Sequence, residues 1–273
     1  FLHQTLQNEN APDFLRLAAL IGLERHAYIG IENAQLRDSQ VLPLLLTIAQ
    51  ADTPTGNRAD DIHHWFRWRA IRALGNAGTP GANDVYLKAL GMMGKDAELA
   101  PTLRYEAIRA LGRMDYTQTQ AIKPVHLISM MSEAALLVIQ DEVDAINERI
   151  LASQAGTGGM GMDMGSEMGM GMDMGMGSDM GSGMGGTASR DLDDSKRRVL
   201  HGFGSVLTAL GTKGRSGIRE AIVETIDEDN ADDLAAVVNE FVQFCDDNGY
   251  RMTEQALTTQ LFNTRQEIEK LGL

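Results

Sequence analysis

Cysteine is nearly absent from this chain of 273 residues. Cys245 stands alone, so no intramolecular disulfide forms and the redox compartment stays open. Basic residues are scarce, 24 Lys and Arg against 38 Asp and Glu for a net charge of −14. Nucleic-acid affinity is built largely from cations neutralising phosphates, so a nucleic-acid partner is excluded as an expectation. The deficit is spread out: 18 acidic and 14 basic residues in 1–155, four and none in 156–186, 16 and 10 in 187–273, with no basic arm. No apolar run approaches the roughly 20 residues a membrane-crossing helix needs. The longest, Val41 to Ala49, contains Pro43, and no membrane insertion is expected. An opening Met is missing too: the chain starts at Phe1 and reads as a fragment, which leaves a signal peptide and the localisation open.

What the chain does contain is an internal repeat. Phe66-Arg-Trp-Arg-Ala-Ile-Arg-Ala-Leu-Gly75 matches Leu103-Arg-Tyr-Glu-Ala-Ile-Arg-Ala-Leu-Gly112 at an offset of 37, seven of ten positions being identical. Leu15 to Leu23 is a looser copy at an offset of 51, the difference falling in the polar stretch Asp52 to Asp61. Each copy places apolar or small residues at helical spacing, as at Phe66, Ala70, Ala73 and Leu74. Glycine follows as a helix stop at Gly75 and Gly78. Val41 to Ala49 and Asp84 to Met93 supply further helices, giving a pair per repeat whose apolar faces are buried only by stacking.

The run apolar-Arg-x-x-Ala-apolar-x-Ala-Leu-Gly resembles the second helix of HEAT-type repeats, in particular the short HEAT-like class named after phycobilisome lyases. The resemblance covers residues 12–115. It implies an α-solenoid and a binding scaffold rather than a particular chemistry.

After Pro124 the chain runs to about Ser153 without Gly or Pro, with Leu127, Met130, Met131, Ala134, Leu137, Val138 and Ile146 at helical intervals: one long helix, or two with a tight joint. Residues 156–186 hold 13 Gly and 10 Met in 31 positions, a composition that cannot offset the cost of ordering. Helical patterning returns with Val199, Phe203, Val206, Leu207 and Leu210, then Ile218 to Ile226, Leu234 to Phe244 and Ala256 to Leu271. Asn230 and Thr253 are the expected N-caps. Val199 to Gly211 resembles the repeat ending without its Arg, as a terminal repeat does. The expected fold is therefore all-α: a HEAT-like repeat domain at 1–155 with about three right-handed repeats, a disordered Met/Gly-rich linker at 156–186, and a C-terminal helical segment at 187–273.

Signatures of catalysis are missing. Gly-x-Ser-x-Gly, the phosphate-cradling Gly-x-x-x-x-Gly-Lys loop and the dinucleotide fingerprint do not occur. HEAT-like enzymes of the deoxyhypusine hydroxylase type carry His-Glu pairs as iron ligands, and this chain has no His-Glu dipeptide. Asp60, Asp61, His63 and His64 could offer a metal two ligands on one helical face, but they read better as a polar helix start. Asp246 and Asp247 oppose a thiolate at Cys245, which reads as buried and structural. An enzyme such as a lyase on this scaffold is the least favoured class, and no cofactor is expected. Met160, Met162, Met164, Met168, Met170, Met172, Met174, Met176, Met180 and Met184 supply thioethers that suit Cu(I) or Ag(I), so soft-metal binding is the first alternative to a plain spacer.

With Ala70, Ala73 and Leu74 inward on a helix of about 3.6 residues per turn, Trp68 and Arg72 point outward. Stacking aligns Leu17, Trp68 and Tyr105 in one row and Ile21, Arg72 and Arg109 in another, and Trp, Tyr and Arg are enriched in binding hot spots. The expected function is a non-catalytic scaffold that holds a protein or peptide partner on this ridge, unless residues 187–273 cover it.

Overall fold

The computed structural model describes residues 1–29, 34–55, 58–119, 124–157, 185–211, 217–222 and 227–272. The ten methionines of the low-complexity tract lie outside them. The described residues are all-helical, with no strand. The helices are α1 (Leu2–Gln7), α2 (Asp13–Ile29), α3 (Ala34–Leu36), α4 (Leu42–Gln50), α5 (Asp60–Ala77), α6 (Val85–Gly94), α7 (Pro101–Leu111), α8 (Pro124–Thr157), α9 (Gly185–Leu210), α10 (Ile218–Ala221), α11 (Asp227–Asn248) and α12 (Glu254–Lys270). A π-turn at Arg37–Val41 joins α3 to α4.

The three repeated segments form α2, α5 and α7, which pack side by side in that order, and α9 packs next against α7. Each of these four has its own preceding helix against it: α1 on α2, α4 on α5, α6 on α7, α8 on α9. Then α11 lies on α8 and α9, and α12 on α8 and α11. A single apolar core runs through all of them from Leu6 to Ile268. Helices from 1–155 and from 187–273 both contribute to it. The helix after Pro124 is unbroken, and Val199, Phe203, Val206 and Leu210 bury the expected face of α9.

The Arg of the repeat is structural. Arg16 donates to the Leu6 carbonyl, Arg67 to the Ala49 carbonyl and Arg104 to those of Asp96 and Ala97. Arg16 and Arg67 thus satisfy carbonyls left open at the C-terminal end of the preceding helix, where the dipole favours a cation, and Arg104 those of the turn just after α6. Phe203 occupies the corresponding place in α9, one residue after buried Gly202.

The glycine closing the repeat does something other than stop the helix. Gly75 lies inside α5, and a Cβ there would stand 2.6 Å from the Ala110 Cβ of α7. Gly112 keeps a right-handed φ of −66°, and its Cβ would stand 2.5 Å from the Ala209 Cα of α9. These glycines let neighbouring helices touch backbone to backbone; the left-handed cap of α5 is Gly78, at φ 67°. Thr253 caps α12 as expected, accepting from the Ala256 N–H at 3.1 Å. Asn230 does not cap: the acidic run before it is already helical, so α11 starts at Asp227 and places Asn230 within its first turn.

Candidate functional site

The outward face of α5 is built around a buried carboxylate. Where α5 and α7 carry Gly75 and Gly112, α2 carries Glu24, whose oxygens lie 2.8 Å from Arg69 Nη1 and 2.9 Å from Arg72 Nε. These guanidiniums stack on aromatic faces: Arg69 is 5.5 Å from the Trp65 ring and 5.2 Å from Trp68, and Arg72 is 5.2 Å from Trp68. The two indoles meet edge to face at 5.6 Å. Trp65 remains half exposed, and Phe14, at the equivalent place one repeat earlier, is 70% exposed.

The same device recurs. Buried Glu106 lies 3.1 Å from Arg113 and 3.9 Å from Arg109, and buried Glu142 takes Arg198 through both oxygens at 2.8 Å with Arg149 at 3.8 Å. Each buried carboxylate fixes two guanidiniums; the Glu24 and Glu106 groups each carry one net positive charge, whereas in the Glu142 group Arg149 also pairs with Glu254 at 3.4 Å. Burial lowers the Arg109 pKa, with repulsion from Arg113 and Arg72 adding to the effect and Glu106 opposing it.

Five of the six expected ridge residues reach the surface at least in part. Ile21 is exposed, Leu17 and Trp68 are half-buried against the core, and Arg72 and Arg109 keep part of their guanidiniums in solvent. Tyr105 is the exception at 5% exposure. Its ring meets His201 of α9 edge to face at 5.5 Å, and Gly202, having no side chain, lets the α9 backbone close over it. Burial, with Asp141 nearby, pushes the Tyr105 hydroxyl up to about 12. The expected aromatic row therefore breaks at α7. Phe14, Trp65, Arg69 and Glu24 were not anticipated; the available signal was that Phe14 and Trp65 stand three residues before Leu17 and Trp68, on the same helix face.

The other expected chemical residues are otherwise engaged. His63 donates from Nε2 to the Ala51 carbonyl at 2.8 Å, and His64 Nε2 is hydrogen-bonded to Thr102 Oγ1 at 2.8 Å. Burial lowers the His64 pKa, assisted by Arg67. Cys245 is fully buried and its thiol is pushed up to about 11 by burial, although Lys196 opposes the shift. Among the described residues, no cluster of three or more His, Cys, Asp or Glu is placed to hold a metal ion, and no helix is long and apolar enough to cross a membrane.

A second feature lies between α7, α8 and α9: a cleft of about 480 Å³ whose lining includes Tyr105, Asp141, Glu142, Ala145, Arg198 and His201. Its residues are scattered over a hundred positions of sequence. No protein-family model, no curated protein and no solved structure matches the chain, so its own geometry carries the functional argument.

Proposed function

We propose that the chain is a HEAT-like α-solenoid acting as a non-catalytic scaffold, which holds an acidic protein or peptide segment with apolar anchors on the outward face of α2, α5 and α7. The observation that supports this most is the Trp65, Trp68, Arg69 and Arg72 cluster, exposed in part yet held rigid by buried Glu24. Rigid aromatics and pre-oriented guanidiniums lose little entropy on binding, and such residues dominate interface energetics. The surplus guanidinium in each Glu24 and Glu106 group gives local positive charge that complements a carboxylate-bearing partner. The Met/Gly-rich tract then serves as a spacer between α8 and α9.

Peptides selected from a displayed library of random-sequence dodecamers test this. Trp65→Ala combined with Arg72→Ala weakens the selected peptides by about tenfold or more. Affinity also falls as salt rises, while circular dichroism stays unchanged. Equal affinity for the folded double variant, or no acidic bias among selected peptides, overturns the reading.

A further inference from the structure

Helices α5 and α7 touch backbone to backbone where Gly75 faces Ala110: a Cβ on Gly75 would stand 2.7 Å from the Ala110 Cα. That close approach brings cations of both helices to one seam. Arg72 stands three residues before Gly75 and Arg109 directly before Ala110, while Arg113 Nη1 would lie 3.4 Å from the same added Cβ. The charged groups that act on Arg109 are Glu106, Arg113 and Arg72, one anion against two cations.

The carboxylates of the seam do not balance it. Arg69 and Arg72 share Glu24, and Arg109 and Arg113 share Glu106, so four guanidiniums meet two carboxylates and a charge of two remains. This surplus sits in a chain whose net charge is −14. The sharing is also uneven. Arg113 reaches Glu106 at 3.1 Å, a hydrogen bond, whereas Arg109 stands 3.9 Å off, beyond hydrogen-bond distance. Both candidate ligands of an anion meet water: 41% of the Arg72 side chain and 26% of the Arg109 side chain are exposed.

We infer that the α5–α7 seam takes a phosphomonoester, a phosphorylated side chain of the bound partner segment, between the Arg72 and Arg109 guanidiniums. The inference rests on the scaffold reading and names the group that anchors its acidic partner. Above a second pKa of about 6 a phosphomonoester carries close to two negative charges, which matches the surplus, and its three oxygens can accept from two planar guanidiniums at once. A single carboxylate cancels half of the surplus. Two carboxylates on successive side chains cancel it but do not converge on one point. Buried Glu24 and Glu106 hold the guanidiniums in place, so little freedom is lost when the anion arrives.

Fluorescence polarisation of the full chain with labelled pools of random dodecamers tests this, each pool having one fixed centre: phosphoserine, serine, glutamate or a Glu-Glu pair. The phosphoserine pool is expected to bind about tenfold tighter than the glutamate pool and about threefold tighter than the Glu-Glu pool. Arg109→Gln removes that preference and leaves the serine pool within about twofold of its original affinity. Trp65→Ala weakens all the pools and keeps their ratios. Equal binding of the phosphoserine and Glu-Glu pools, or a phosphoserine preference that survives Arg109→Gln, overturns the inference and leaves the scaffold reading standing. The scaffold reading fails in a different way, by a Trp65→Ala variant that binds every pool as well as the original chain. If Arg109→Gln loses its helical circular dichroism, Arg72→Gln takes its place with the same expected loss of preference.

Discussion

Arg16, Arg67 and Arg104 occupy one position of the repeated segment and share one task, donating to backbone carbonyls at or just after the end of the helix before them. They differ in what else surrounds them. Arg104 is buried and also neutralises Asp141, whose pKa is raised by burial while Arg104 opposes the rise. Arg67 reaches out to exposed Asp52. Arg104→Ala is expected to cost about 3–5 kcal/mol, because it strands a half-buried carboxylate and two carbonyls. Arg67→Ala, whose Asp52 partner stays hydrated, is expected to cost about 1 kcal/mol, and urea denaturation of both variants checks the difference. Trp68 and Tyr105 also share a repeat position, and both read as outward in the sequence. The bare backbone at Gly202 brings α9 over Tyr105, and nothing within the repeat itself signals this.

At the scale of the element, the contacts between successive helices come in two kinds. The α5–α7 and α7–α9 contacts are close because Gly75 and Gly112 present no Cβ, whereas the α2–α5 contact has Glu24 at that place and is held by guanidiniums. Gly112→Ala is therefore expected to cost about 1–3 kcal/mol, since its Cβ would meet the α9 backbone. Gly204→Ala, in the same helix as Ala209 but with nothing within 4 Å of its Cβ, gains up to about 1 kcal/mol from helix propensity. Thermal melts of the pair separate close approach from propensity. The helices themselves were legible: 3.6-residue periodicity located α4, α5, α6 and α7, and the absence of Gly and Pro located α8. The purpose of the repeat glycine was not legible, because a stop signal and a packing contact use the same residue.

At the scale of the molecule, the described helices before and after the Met/Gly-rich tract share one core. Tyr105, Val138 and Gly112 are covered by α9, and α11 and α12 add a second layer on α8. A chain ending at residue 155 is accordingly expected to expose apolar surface on α7 and α8. It should bind more 1-anilinonaphthalene-8-sulfonate than the full chain and melt at a lower temperature, and a fully cooperative, dye-silent 1–155 fragment would contradict the shared core. The charge excess is likewise placed rather than averaged: carboxylates dominate the chain, yet three buried ones are each spent on two guanidiniums.

Composition and periodicity alone determined that the described chain is all-helical and where most helices run, because an amphipathic face is written into the spacing of apolar residues. They also marked α5 as the carrier of Trp68 and Arg72, both of which reach the surface in part. Only the tertiary structure decided which equivalent positions stay exposed, how Glu24 holds its two guanidiniums, and that a cleft opens between α7 and α9. Periodicity states that a face exists but not what packs on it; at Tyr105 that was settled by residues a hundred positions away, brought in by the stacking of α9.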